Sequence, residues 1–97
     1  MIKIAMVSRW HVHADEYAKE LGNTPGVQIV AVWDDDIGRG KAWAEELNCA
    51  FYEDYDALLS DPEIDGVAVV SSTDRHPELL IKAAKARKHI FSLMLPI

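Results

Sequence analysis

Val67-Ala68-Val69-Val70 is a run of four apolar residues without polar alternation, and it decides the fold class. A strand with this pattern is typical of the centre of a parallel sheet, where helices cover both faces. Four other short runs, rich in β-branched and aromatic residues, are predicted to be strands. They are residues 2–7, 27–33, 50–52 and 89–91.

Helical periodicity fills the intervals between these runs. The first helix has an apolar stripe at Ala14, Tyr17, Ala18 and Leu21, and Gly22 follows where helices often stop. The second helix is predicted within residues 38–47, with Trp43, Ala44 and Leu47 as its apolar positions. The third is short, carries Leu58 and Leu59 and stops at Asp61-Pro62. The fourth has its apolar positions at Leu79, Leu80, Ala83 and Ala84. We therefore expect residues 1–97 to form one α/β domain, a doubly wound, Rossmann-like parallel sheet of about five strands in three layers.

The composition excludes several classes of partner. A formal charge of −6 and a pI near 5.0 argue against nucleic acid, which requires a basic surface. The densest basic stretch, residues 82–88, is typical of a solvated helix face. No apolar run reaches the length of a membrane span, so no membrane partner is expected. Cys49 is the only cysteine and no secretory leader is visible, which predicts a cytoplasmic protein.

In an open parallel sheet, ligands bind beyond the carboxyl ends of the strands, where the strand order reverses. Three segments follow such ends here. They are residues 8–13 after the first strand, the acids that begin at Asp34 after the second, and residues 71–76 after the fourth. We expect the functional site to be built from these segments.

Asp34 lies 21 residues after His13, close to the spacing at which a dinucleotide-binding fold places an acid on the adenosine ribose. Such an acid would repel a 2′-phosphate and favour NAD, whereas the nearby Arg39 leaves NADP open. The alternative is a turn at the end of a strand with solvated acids.

The first turn lacks the G-x-G-x-x-G pattern that lets a pyrophosphate approach bare backbone. Ser8, Trp10 and His13 occupy the three glycine positions, and the Trp10 indole could fill the space of the pyrophosphate. The free N–H groups of a helix N-terminus still attract anions. We expect Ser8 to cap the helix and Arg9 or His11 to face an anion, with Val12 beside it.

The pair His11-x-His13 also suggests a metal ligand set, but two histidines without a neighbouring acid or cysteine make a weak site. No metal is therefore predicted. In the third segment, Thr73 or Asp74 is a candidate helix cap before Pro77. The residues expected near the cofactor crevice there are Ser71, Ser72, Thr73 and His76.

The run from residue 54 to residue 67, DYDALLSDPEIDGV, resembles the Rossmann domain of the Gfo/Idh/MocA oxidoreductases, in which the pattern y-d-x-x-x-L-L-x-d-p-x-i-D-x-V recurs. A T-P-x-x-x-H loop and a helix end A-G-K-H-V follow it in that family. Here STDRH at residues 72–76 and ARKHI at residues 86–90 stand in those places. The family's Glu-Lys-Pro motif has no counterpart in SLMLPI at residues 92–97.

The resemblance implies NAD(P) as cofactor and oxidation or reduction of a sugar, polyol or similar small molecule. It also implies a substrate site shared with a larger C-terminal domain, which this chain lacks. Because the lysine of the Glu-Lys-Pro motif is missing too, no catalytic residue is assigned. The ending fits either a shortened form of a longer protein, which we favour, or a natural relic that has lost its chemistry.

Two functions follow from these observations. The first is a cofactor domain with Asp34 on the ribose, residues 8–12 beside the pyrophosphate and His76 on the nicotinamide side, without turnover by these residues alone. The second is a non-catalytic Rossmann module for protein association, suggested by the missing glycines, the missing lysine and the apolar ending. An exposed Leu93-Met94-Leu95 edge would promote a homo-oligomer.

Overall fold

The computed structural model describes residues 2–7, 14–69 and 76–92. Within these ranges five strands alternate with four helices, as the sequence predicts. The elements are β1 (Ile2–Val7), α1 (Ala14–Gly22), β2 (Val27–Trp33), α2 (Ile37–Leu47), β3 (Ala50–Tyr52), α3 (Tyr55–Ser60), β4 (Gly66–Val69), α4 (His76–Lys85) and β5 (His89–Ser92).

The sheet is parallel throughout and has the strand order β3-β2-β1-β4-β5. From the central strand β1 the chain moves outward through β2 to β3, then returns to the other side of β1 for β4 and β5. The order therefore reverses between β1 and β4, which is the doubly wound arrangement expected.

The helices cover both faces of the sheet. Neighbouring residues of β1 alternate between the two cores, because side chains along a strand point to opposite faces. Ile4 and Met6 pack with α1 and α2, whereas Ala5 and Val7 pack with α3 and α4. The predicted three-layer α/β/α fold is thus confirmed.

Three acids of the family-like run at residues 54–67 accept hydrogen bonds from backbone N–H groups in and beside the connections between α3, β4 and β1. The Asp54 carboxylate caps α3 by accepting a hydrogen bond from the Asp56 N–H at 3.0 Å. Asp61 accepts one from the Glu63 N–H at 2.9 Å, and Asp65 accepts one from the Lys3 N–H at 2.8 Å. Asp54 and Asp61 shape turns, and Asp65 connects the amino-terminal ends of β4 and β1. None of the three lies at the carboxyl ends of β1, β2 or β4, so the pattern indicates the fold rather than a catalytic site.

The first helix ends at Gly22, but not in the way a helix-stopping glycine usually ends one. Gly22 is the last residue of α1 and does not have a positive φ angle. Instead, the Thr24 hydroxyl donates a hydrogen bond to the Glu20 carbonyl oxygen in the last turn of the helix, at 2.8 Å.

Among the helices of the described ranges, none has the length and apolar character needed to cross a membrane.

Candidate functional site

Three strands end side by side at the centre of the sheet. Val7, the last residue of β1, is paired with Trp33 of β2 and with Val69 of β4. Trp33 and Val69 are themselves the last residues of their strands. The three strands that precede the predicted site segments therefore end at a single level of the sheet, at the point where the strand order reverses.

Asp34 directly follows β2 and is buried, with no exposed side-chain surface. Its carboxylate accepts two hydrogen bonds from Arg39, one from Nε to Oδ2 at 2.9 Å and one from Nη2 to Oδ1 at 2.6 Å. Oδ1 also accepts a hydrogen bond from the Asp36 N–H at 3.1 Å. Asp34 itself is therefore not solvated, whereas Asp35 and Asp36 are exposed, so the alternative of a turn with solvated acids holds for those two residues.

Arg39 is positioned by the start of α2. Asp36 caps that helix and accepts a hydrogen bond from the Arg39 N–H at 3.0 Å. This places the guanidinium beside Asp34, and Nη2 also lies 3.1 Å from Oδ1 of Asp35. The hydrogen bond with the Asp34 carboxylate raises the pKa of Arg39 further above its ordinary value. The pair is thus a fixed cation and anion at the end of β2.

Gly40 is a residue of this site that the sequence interpretation missed. A Cβ atom at Gly40 would lie 2.8 Å from Cβ of Asp34, so only glycine lets α2 approach the strand end this closely. The one available signal was a glycine six residues after Asp34, inside the predicted second helix. A helical glycine without a turn does not by itself identify a close approach.

The other predicted site residues divide into two groups. His76 is the first residue of α4, as expected, although its side chain lies outside the described residues. Pro77 occupies the first turn of that helix, as predicted. The remaining predicted site residues lie outside the described ranges: Ser8, Arg9, Trp10, His11, Val12, Ser71, Ser72 and Thr73. His13 and Asp74 also lie outside them.

Two further observations limit the location and type of the site. A groove of about 620 Å³ runs between α1 and α2, but it is lined by Gly22, Asn23 and Val27 at the amino-terminal edge of the sheet, away from Asp34. Within the described residues, no three or more His, Cys, Asp or Glu side chains are grouped to hold a metal ion. The strand ends around Asp34 are therefore the candidate site.

Residues 3–92 match the family model Gfo/Idh/MocA, an oxidoreductase family with an NAD-binding Rossmann fold. The chain belongs to this family. The resemblance predicted from residues 54–67 is thereby confirmed, as are the Rossmann fold and NAD as the cofactor.

Individual members of the Gfo/Idh/MocA family give the same result. The chain is 40% identical over 77 residues to scyllo-inositol 2-dehydrogenase (NAD(+)) of Bacillus subtilis, covering 77% of this chain and 22% of that enzyme. It is 33% identical over 91 residues to an uncharacterised oxidoreductase of Streptococcus pneumoniae, covering 94% of this chain and 24% of that protein. The chain therefore spans about a quarter of the length of these relatives.

A solved structure of the Gfo/Idh/MocA family also superposes on this chain. Myo-inositol dehydrogenase from Lactobacillus casei, in complex with NAD(H) and myo-inositol, has a TM-score of 0.85 and 30% identity. The match covers 95% of this chain and 28% of that enzyme. The described fold thus corresponds to one part of that longer enzyme.

Proposed function

We propose that this chain is the cofactor-binding domain of a dehydrogenase that acts on a polyol, a sugar or a similar small molecule. The observation that carries the proposal is the common level at which β1, β2 and β4 end, with Asp34 placed there at the end of β2. This is the crevice in which a doubly wound sheet binds a dinucleotide.

The residues of the crevice have separate expected roles. Asp34 would bind the adenosine ribose once the Arg39 guanidinium moves off its carboxylate, because the ribose hydroxyls are donors that suit a carboxylate. Residues 8–12, after β1, lie beside the pyrophosphate, and residues 71–73 with His76 line the nicotinamide side. When bound, the dinucleotide supplies a hydride acceptor or donor. The protein's part is to hold it above the strand ends.

The substrate class is proposed from the relatives. The enzymes from Bacillus subtilis and Lactobacillus casei are named for inositols, which supports a cyclic polyol or a related sugar as the substrate of the whole protein. We assign the substrate pocket largely to sequence beyond this chain, because the chain spans about a quarter of those relatives. The chain alone should therefore not reduce NAD⁺ in the presence of myo-inositol, as followed by NADH absorbance.

Calorimetric titration of the purified chain with NAD⁺ and NADH tests the cofactor role. We expect saturable binding that Asp34→Asn weakens, since the variant loses the charge that attracts the ribose hydroxyls. Asp56→Asn is the matched control, because it removes the same charge from the exposed surface of α3. Absence of saturable binding to the unmutated chain would contradict the proposal. Equal losses in both variants would contradict the role of Asp34.

A further inference from the structure

We propose that Tyr55 is a positioning residue for the cofactor, and that it fixes the distance between the adenosine side and the nicotinamide side of the crevice. The inference rests on the proposed cofactor role of the strand ends and deepens it. Tyr55 is the first residue of α3, outside the segments assigned to contact with the dinucleotide. It therefore acts through the elements that it holds in place.

Tyr55 belongs to the core that supports the strand ends. Val7 and Val69, the last residues of β1 and β4, are buried in the same cluster of side chains. Trp33, the last residue of β2, packs against that cluster. Only 5% of the Tyr55 surface is exposed. With so little exposed surface, the side chain influences a ligand through its neighbours rather than by direct contact.

The ring and the hydroxyl of Tyr55 contact opposite sides of the crevice. The ring lies against Trp33, with the two ring centroids 5.0 Å apart and the planes inclined by 49°. Trp33 immediately precedes Asp34, on the adenosine side. The hydroxyl donates a hydrogen bond to the Leu79 carbonyl oxygen at 2.9 Å. Leu79 lies three residues after His76 in the first turn of α4, on the nicotinamide side. One side chain thus joins the two sides.

The connection matters because the two sides are not neighbours in the sheet. β1 lies between β2 and β4, so the ends of β2 and β4 are two strand spacings apart, about 10 Å. Hydrogen bonds of the sheet fix the strands themselves. The start of α4 is further away along the chain, at residue 76, seven positions after β4 ends at residue 69. The Tyr55 hydroxyl anchors the first turn of that helix directly.

Both ends of the connection are fixed. The Trp33 indole Nε1 donates a hydrogen bond to the Glu53 carbonyl oxygen at 3.2 Å, which holds the ring against which Tyr55 rests. Burial raises the pKa of the Tyr55 hydroxyl, with a smaller contribution from the charge of Asp56. The hydroxyl therefore stays protonated at neutral pH and continues to donate to Leu79.

The test compares Kd for NAD⁺ and for ADP in the unmutated chain and in Tyr55→Phe. The variant keeps the ring against Trp33 and loses only the link to Leu79, so NAD⁺ must order the start of α4 when it binds. We expect its Kd for NAD⁺ to rise by about three- to tenfold, the range given by one neutral hydrogen bond. ADP has no nicotinamide half and does not reach α4. Its Kd should therefore stay within about twofold.

Tyr52→Phe is the matched control. It also removes a hydroxyl that is hydrogen-bonded within the chain, but that bond goes to Asp61 after α3 rather than across the crevice. Its Kd values for both nucleotides should equal those of the unmutated chain, although its stability falls. Trp33→Phe tests the other end of the connection. The smaller ring gives up part of the contact with Tyr55, so the same selective loss for NAD⁺ is expected.

A selective loss of NAD⁺ affinity is the result that a purely structural role of Tyr55 would not produce. Unchanged NAD⁺ binding by Tyr55→Phe, or an equal loss for NAD⁺ and ADP, overturns the positioning role. Urea denaturation shows whether each variant is folded during the titration. If Tyr55→Phe is not folded, Trp33→Phe decides by the same comparison. Binding of neither nucleotide by the unmutated chain overturns the cofactor role itself, which distinguishes that failure from a failure of Tyr55.

Discussion

Gly40 of α2 lies directly against Asp34 of the strand end, so closely that a methyl group on Gly40 would lie 2.8 Å from the Asp34 Cβ atom. The same methyl group would also collide with the Phe51 ring on β3. Both neighbours are anchored, one by its pair with Arg39 and the other within a strand. The position of the buried acid therefore depends on a residue with no side chain.

Gly40→Ala should lower the free energy of unfolding by about 1–3 kcal/mol, the usual cost of overpacking a well-packed site. Urea denaturation measures this directly. Gly38→Ala on the same helix is the control, because its methyl group would make an ordinary contact 3.6 Å from Oδ1 of Asp36. We expect it to stabilise the chain by up to about 1 kcal/mol through helix propensity. Equal effects of the two variants would contradict the steric argument.

The sequence predicts the fold well because the fold depends on local patterns. The unbroken apolar run at residues 67–70 and the stripe on the first helix each required only periodicity, and both elements are found. The apolar run at residues 27–33 likewise identified the strand that ends just before Asp34. Strands and helices alternate regularly along the chain, and short connections between them permit only a few topologies.

The details of the site were less accessible to sequence reasoning. Asp34 was expected either on a ribose or in solvent, but it is buried under a bidentate contact with Arg39. That contact depends on how α2 begins and on the approach that Gly40 allows. Such geometry is set by packing between elements, which no spacing along the chain records.

Two helices of the chain end in the same backbone arrangement. Asn48 after α2 and Arg87 after α4 have φ angles of 56° and 60°, in the left-handed region. In both cases the next residue, Cys49 or Lys88, donates its N–H to a carbonyl five positions earlier, at 3.0 and 3.1 Å. Arg87 stands where the family pattern A-G-K-H-V has glycine. The conformation explains why that pattern has glycine there.

Arg87→Gly should therefore raise the free energy of unfolding by about 0.5–1 kcal/mol, since glycine adopts the left-handed region without the steric cost that arginine bears. Asn48→Gly serves as the comparison. Its effect should be smaller, at a few tenths of a kcal/mol, because asparagine tolerates this region. Thermal and urea denaturation of both variants measure the difference. A loss of stability in Arg87→Gly would show that the arginine side chain makes a larger contribution than its backbone strain.

The Tyr52 hydroxyl donates a hydrogen bond to the Asp61 carboxylate, and the contact makes stability depend on pH. It lowers the pKa of Asp61, and the same bond raises the pKa of Tyr52. A lowered carboxyl pKa contributes stability above the unfolded-state value, and this is lost as pH falls through the folded value. A raised tyrosine pKa contributes stability below about pH 10, which is lost as pH rises through the folded value.

Tyr52→Phe should consequently be less stable than the unmutated chain at neutral pH. This gap, the difference in free energy of unfolding between the two proteins, should close in acid as Asp61 is protonated. Urea denaturation between about pH 2 and pH 7 measures the gap. Tyr17→Phe is the control, because the Tyr17 hydroxyl makes no hydrogen bond with a described residue. Its gap should not vary with pH. A gap for Tyr52→Phe that stays constant into acid would show that Asp61 does not carry the effect.

Glu16 lies in the first turn of α1, the helix whose N-terminus is proposed to face the pyrophosphate. Its negative charge offsets part of the helix dipole that attracts an anion. Glu16→Gln should therefore tighten NAD⁺ binding by roughly two- to fivefold at low salt, the equivalent of about 0.3–1 kcal/mol. Added salt should reduce the gain, because the charge is exposed and therefore screened.

Glu20→Gln provides the matched control, since Glu20 is exposed near the other end of the same helix. Removing its charge should leave the Kd for NAD⁺ within about twofold, because the dipole effect falls off within one turn. Equal tightening in both variants would indicate a general effect of net charge on an acidic protein. No tightening in Glu16→Gln, with NAD⁺ still bound, would place the pyrophosphate away from the start of α1. Either result would separate the position of the cofactor from the question of whether it binds.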